Sequence, residues 1–220
     1  MAHAQDRRTL VVGTTNRHKL TEIERILDGL AWAVEPIAAY SAGPAPEETG
    51  RTFAENARLK ALHYGRRAPC LTVGEDSGLE IDGLGGEPGV RSARFNGATY
   101  AEKFDVIYAR LRERRAVASP ARFVCAVAAV EHGRIVFEAT GAVEGRIADA
   151  PAGDGGFGYD PIFFYPPYGC TLAEVSAERK ALVSHRGRAF RKLRQFLVSQ
   201  GAAADGGADP GRGARRRATR

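Results

Sequence analysis

RFVCAVAAVEHGRIVFEATGAV, residues 122–143, decides the fold. Two strand-like runs, Arg122–Glu131 and Arg134–Val143, meet at His132-Gly133, which reads as a hairpin turn. Upstream, strands and helices alternate. Thr9–Gly13 is a buried strand, and Asn16 caps a helix with Leu20, Ile23 and Leu27 on one face. Trp32–Pro36 is a second strand, followed by a Gly/Pro/Ala/Glu-rich loop over 37–50. Thr52-Phe53-Ala54-Glu55 is a capping box that starts a helix running to about Tyr64. Leu71–Gly74 is a short buried strand ending at Glu75-Asp76-Ser77-Gly78, and Gly83–Gly97 is a long loop. A second capping box, Thr99-Tyr100-Ala101-Glu102, opens a helix with Tyr100, Phe104, Ile107 and Leu111 at helical spacing. Downstream lie a glycine-rich segment, a Pro166-Pro167 turn and a last helix capped by Ser184, with Phe190, Leu193 and Leu197 inward. An antiparallel hairpin inside a strand–helix alternation predicts an α/β fold with a mixed sheet.

A chain of 220 residues, 44% hydrophobic and 26% charged, fits one full-cored domain or two small lobes sharing a cleft. No apolar run approaches the roughly 18 residues of a membrane helix. The segment Met1–Arg8 has no apolar stretch behind its arginines, which argues against a signal peptide. Cys70, Cys125 and Cys170 are odd in number and widely spaced, fitting neither a disulfide framework nor a zinc site. A reduced, cytoplasmic setting is expected. The net charge of +6 points to nucleic acid only until it is located: five arginines against two aspartates in residues 201–220 supply half of it. That stretch has no apolar side chain larger than Ala and is expected to be a disordered tail behind a domain spanning 1–200. It is short and lacks aromatic residues, so nucleic acid is not expected as the main partner.

Four segments could carry chemistry. Gly13-Thr14-Thr15-Asn16-Arg17-His18-Lys19 lies at a strand-to-helix turn, where free N–H groups, two hydroxyls and a lysine suit a phosphate. It is not a Walker loop, because His18 and Leu20 stand where that motif needs Gly and Ser or Thr, and by itself it reads equally as a capped helix with a solvated lysine. Glu75-Asp76-Ser77-Gly78 places two acids at a strand end, suited to a hard cation such as Mg²⁺ or simply to a polar turn. Glu47-Glu48 could add a carboxylate. Gly155-Gly156-Phe157-Gly158-Tyr159-Asp160-Pro161 combines close backbone approach, aromatic faces and a carboxylate, the composition of a pocket for a flat polar ring, or of a tight turn with core aromatics. Ser184-His185-Arg186-Gly187 puts basic side chains at a helix N-terminus, where the dipole disfavours them, which hints at an acceptor nearby. Lys180 lies a turn earlier.

Taken together, these residues resemble the inosine triphosphate pyrophosphatases over roughly residues 9–198. Six blocks match in order: Thr14-x-Asn16-x-x-Lys19; Glu47 to Ala61, with Thr52, Phe53, Glu55, Asn56, Ala57 and Lys60; Asp76-Ser77-Gly78-Leu79; Pro88-Gly89-Val90-x-Ser92-Ala93-Arg94-Phe95; Gly156 to Pro161; and Ser184-His185-Arg186-Gly187. The resemblance implies an elongated mixed α/β fold of two lobes around a nucleotide cleft, usually a homodimer. It implies Mg²⁺-dependent hydrolysis of ITP, dITP and XTP to monophosphate and pyrophosphate, which would cleanse the nucleotide pool. Asp76 is then expected as general base and metal ligand, with Glu48 and Glu75 as further metal-site acids. Thr14, Thr15, Asn16, Arg17, His18, Lys19 and Lys180 are expected around the triphosphate, and Ser77 among the substrate-binding residues. Phe157 is expected to stack, and Gly158, Tyr159, Asp160, His185 and Arg186 to surround and read the purine. Glu75 departs from the aspartate of many members, and Thr15, Arg17 and His18 stand where smaller residues are common. A non-catalytic nucleotide binder and a pyrophosphatase for other triphosphates are the competing readings.

Overall fold

A computed structural model describes residues 8–41 and 43–205. One seven-stranded sheet runs through it. Its strands are β1 (Arg8–Gly13), β2 (Trp32–Pro36), β3 (Leu71–Ile81), β4 (Pro120–Glu131), β5 (Arg134–Ile147), β6 (Phe163–Tyr165) and β7 (Cys170–Thr171), in the order β2-β1-β3-β4-β5-β6-β7. β2, β1 and β3 are parallel, and every pairing from β3 onward is antiparallel. The predicted mixed α/β fold is therefore the observed one. The β4–β5 hairpin turns where expected: His132 and Gly133 have φ of 50° and 75°, the left-handed pair of a type I′ turn.

Among the described residues five helices flank the sheet: α1 (Arg17–Leu27), α2 (Phe53–Gly65), α3 (Tyr100–Glu113), α4 (Ala177–Val183) and α5 (His185–Asp205). Asn16 caps α1 through the Lys19 N–H, and both predicted capping boxes are formed, by Thr52 with Glu55 and by Thr99 with Glu102. α1 and α5 cover one face, enclosing Leu10, Val73, Val127, Phe190 and Leu193. α2 packs on the opposite face against Ala126, Ala128 and Val130. A second core gathers at the far ends of β3, β4 and β5, where α3 meets Leu79, Phe123, Val143 and Phe163. The two cores form two lobes joined by the same long strands. Among the described residues no helix is long and apolar enough to cross a membrane.

Three expectations need correcting. The strand predicted to end at Gly74 continues to Ile81. β1 leaves it at Gly13↔Gly74, but β4 pairs with it without a break from Thr72↔Val130 to Ile81↔Ala121. Glu75 and Asp76 therefore sit inside a ladder rather than at a strand end, just beyond the last parallel pair. The loop over Gly83–Gly97 contains two 3₁₀ turns, Asp82–Leu84 and Gly89–Arg94. The last helix continues to Asp205, five residues into the stretch expected to be disordered; the remainder of that stretch lies outside the described residues.

Gly74 fixes how closely α2 approaches the acid pair. A Cβ there would overlap the backbone N of Ala61 and O of Ala57, atoms that cannot swing aside. Gly74→Ala is expected to cost about 3 kcal/mol, the upper range for overpacking. A thermal melt should read this as a fall in Tm of roughly 6–12 °C, and an unchanged melt would contradict the packing described.

Candidate active site

Neighbouring residues of a strand point to opposite faces of the sheet, so Glu75 and Asp76 enter different environments. Glu75 faces α1 and α5. It is 2% exposed, and its Oε1 receives Lys19 Nζ at 2.5 Å. Its Oε2 lies 3.5 Å from Arg186 Nη2 and accepts from the Cys125 thiol at 3.7 Å. Burial alone would raise the Glu75 pKa, but the charges of Lys19, Arg186 and Lys60 outweigh it and hold the group far below the usual carboxylate range.

Arg186 is the hub on this face. It is 1% exposed at the start of α5, where Ser184 Oγ accepts the Gly187 N–H. Its Nη1 donates to Glu22 Oε2 at 2.6 Å and its Nη2 to Ser77 Oγ at 2.9 Å. Ser77 shares the Glu75 face because it is two residues further along β3. The other oxygen of Glu22 accepts from Lys180 Nζ at 2.7 Å, and Lys180 also reaches Asp160 Oδ2 at 2.5 Å. Burial would raise the Glu22 pKa, but Arg186 and Lys180 bring it below its ordinary value. Asp160 Oδ2 also accepts the Phe157 N–H at 2.7 Å, which closes the glycine turn. At Gly156, φ is +67° and a Cβ would overlap Asp160 Oδ2, so only glycine fits.

Asp76 faces α2. Its Oδ1 accepts from Lys60 Nζ at 3.0 Å and its Oδ2 from Asn56 Nδ2 at 3.0 Å. Burial pushes its pKa up, against the lowering effect of Lys60 and Asn56. Lys60 also pairs with Glu48, which binds Arg94 Nη2 at 2.9 Å. The Glu48 pKa stays low despite burial because Lys60 and Arg94 neutralise it. Of the three acids expected at one metal site, Glu48 and Asp76 meet through the Lys60 ammonium, while Glu75 is turned to the other face. Among the described residues no group of three or more His, Cys, Asp or Glu side chains is arranged to hold a metal ion. The donor chemistry still fits a hard cation: two carboxylates converge on a single positive charge, with oxygen donors only.

Between the two lobes lies a pocket. Asn16, Lys19, Ser77, Phe157, Gly158, Tyr159, Asp160, Lys180, His185 and Arg186 all line it, so ten of the predicted site residues converge. His185 is 5% exposed and stacks on Phe123, with ring centroids 4.8 Å apart and planes at 19°. Its Nδ1 and the Arg186 Nε are buried without hydrogen-bond partners. Burial first, then the Arg186 and Lys180 charges, hold the imidazole neutral well below its ordinary titration range.

Other predicted residues are placed differently. Thr15 and Arg17 are exposed and do not line the pocket, and Thr14 uses its hydroxyl to accept the Asn16 N–H at 3.2 Å. The Phe157 ring stacks on His18 at 5.4 Å and 14°, with the Lys180 ammonium 4.8 Å from its centroid. Tyr159 is a core side chain whose hydroxyl donates to the Ser92 carbonyl at 2.8 Å. The acceptor anticipated for Arg186 is present within the chain, as Glu22 and Glu75. Glu22 was not foreseen; its one sequence signal is its position three residues after Lys19 on α1, beside inward Ile23. Asn56 and Lys60 entered only as letters of a motif.

Glu22→Gln removes one counter-charge from two buried cations. A loss of about 2 kcal/mol is expected, below the 3–5 kcal/mol typical of a broken fully buried pair because Glu22 is partly exposed. The folded-state pKa is depressed, so this contribution is complete above the unfolded carboxylate value near 4.3 and fades as pH falls below it. Denaturant midpoints of both proteins at pH 7 and pH 3.5 check this: the gap should narrow in acid, and a gap independent of pH would refute it.

Comparison with known proteins gives the family of the chain. The family model described as the Ham1 family matches residues 10–196. The dITP/XTP pyrophosphatase of Gloeobacter violaceus is 47% identical over 186 residues, covering 84% of this chain and 92% of that protein. The dITP/XTP pyrophosphatase of Thermus thermophilus is 41% identical over 185 residues, covering 84% and 89%. The solved structure of a Ham1 protein from Coxiella burnetii superposes with a TM-score of 0.80 at 36% identity, covering 87% of this chain and 99% of that one. With a family model spanning most of its length and relatives of this identity, the chain belongs to the Ham1 family.

Proposed function

We propose that the protein is a nucleoside triphosphate pyrophosphatase that hydrolyses aberrant 6-oxopurine triphosphates, ITP, dITP and XTP, to the monophosphate and pyrophosphate, and so cleanses the nucleotide pool. Its relatives carry the name dITP/XTP pyrophosphatase. The observation that carries the reading is the pair of unpartnered buried nitrogens, His185 Nδ1 and Arg186 Nε, on residues lining the pocket. Arg186 Nε always carries a proton, and a buried donor without an acceptor costs about 1–3 kcal/mol. A 6-oxo group supplies an acceptor, whereas the 6-amino group of adenine supplies another donor and leaves the cost in place.

The other end of the pocket suits phosphate. Lys19, Asn16 and the first N–H groups of α1 would hold the triphosphate, while Lys180 is held by Glu22 and Asp160 beside the Phe157 ring. Asp76 would take a proton from the attacking water at the α-phosphorus. Its raised pKa makes it a better base than a solvated aspartate, and Asn56 fixes its orientation. Mg²⁺, held by Glu48 and Asp76, would supply charge neutralisation for the phosphates. Binding it there requires Lys60 to yield its place between the two carboxylates, and the anionic substrate offers that lysine an alternative partner. Residues 1–200 would form the catalytic unit, acting as a homodimer in the cytoplasm.

Incubation with ITP and Mg²⁺ should yield IMP and pyrophosphate; IDP and orthophosphate would place the cleavage at the wrong bond. EDTA should abolish turnover. ATP should be cleaved with a kcat/KM at least about tenfold lower than ITP, the cost of one unmatched buried donor. Asp76→Asn keeps the shape but cannot accept a proton, and should lower kcat by about 10²–10⁴-fold. Retention of more than a tenth of the activity would move the base elsewhere.

A further inference from the structure

Tyr100 opens α3 and was expected simply as the first inward residue of that helix. It is instead 40% exposed and lines the pocket beside Phe157 and Gly158. Its ring is held from two sides: Tyr159 meets it edge-on at 5.2 Å and 89°, and the Lys103 ammonium lies 4.7 Å from its centroid. Lys103 is itself 5% exposed and donates to the Ala93 carbonyl at 2.7 Å, with no carboxylate partner among the described residues. The Tyr100 ring therefore adds a cation–π contact to that charge, and the ring's position is set before any ligand arrives. Its hydroxyl, by contrast, makes no hydrogen bond among the described residues. A Cβ added at Gly158 would lie 3.5 Å from that oxygen, so the phenol sits close over the glycine backbone.

We propose that Tyr100 is a further substrate-binding residue of this site, one that contacts the nucleoside half of the substrate through its ring and donates its hydroxyl to an oxygen acceptor there. The inference rests on the pyrophosphatase reading above. The nucleoside half is its target because Tyr100 lines the pocket with Phe157 and Gly158, its hydroxyl lying close over the Gly158 backbone. Burial, with the Asp160 charge adding to it, raises the Tyr100 pKa, so the phenol keeps its proton throughout the working range. An aromatic face accepts any base, whereas His185 and Arg186 tell bases apart. Tyr100 thus sets how tightly a nucleoside is held, not which purine is preferred.

The test compares Tyr100→Phe, Tyr100→Leu and Tyr100→Ala with the unaltered protein. Binding of IMP is measured by calorimetry, KM and kcat for ITP and ATP by product assay, and inhibition by inorganic pyrophosphate separately. Tyr100→Ala should weaken IMP binding about tenfold, or about 1.4 kcal/mol. It should raise KM for ITP and ATP by the same factor, with kcat and pyrophosphate inhibition within about twofold of the unaltered protein. Tyr100→Phe should show about a threefold loss, and Tyr100→Leu covers the case in which the alanine variant fails to fold. IMP binding unchanged in the alanine and leucine variants, or pyrophosphate inhibition weakened as much as IMP binding, overturns the assignment alone. Absence of IMP binding and ITP turnover in the unaltered protein overturns the functional reading together with it.

Discussion

A buried file of alternating charge holds the molecule in register: Lys19, Glu75, Arg186, Glu22, Lys180 and Asp160, each within 3.5 Å of the next. It ties α1, β3, α5, α4 and the glycine turn at 155–160 to one another. Removing water from six charges is costly, and the cost is offset only because every member has a neighbour of opposite sign. The three cations match the three anions, so no net charge is left inside. This arrangement explains why a helix can begin with arginine against its own dipole. The field of Glu22 and Glu75 at short range exceeds that of the helix end.

The same arrangement divides labour between adjacent acids. Glu75, surrounded by cations, stays ionised and serves as a fixed anion of the scaffold. Asp76, one residue along and on the other face, has a raised pKa and a two-point hydrogen-bond cradle. Opposite environments separating the proton affinities of like groups is how a site assigns different tasks to chemically similar side chains. The separation originates in the pleat of β3, which requires an unbroken strand at this point.

What was legible in the sequence was local. Capping boxes, the His132-Gly133 turn and the apolar faces of α1, α3 and α5 are written within a few residues of each other, and all formed. β3 was read as too short because its second half is held by β4, some fifty residues away, and not by its own pattern. α4 escaped notice because seven residues show no apolar periodicity. The site was legible in its residue types but not in its pairings. Arg186 was recognised as misplaced for stability, yet its partner Glu22 lies 164 positions away. Lys60 was seen as a letter in a motif, and only the fold places its ammonium between Glu48 and Asp76.

β3, β4 and β5 pass from one lobe into the other, with a single register shift at Ala129/Val130 near the hairpin end of β4 and β5. No flexible linker separates the two cores, so the cleft is not a jaw on a joint. Mechanically it behaves like a folded spring sheet: widening or narrowing the gap must be absorbed as a change in strand twist spread over three paired strands. Such a deformation is stiff and small in amplitude, because it works against the whole hydrogen-bonded ladder at once. The wall bearing the two acids keeps its shape, and α4 is bound to it in turn, since Lys180 is clamped between Glu22 and Asp160.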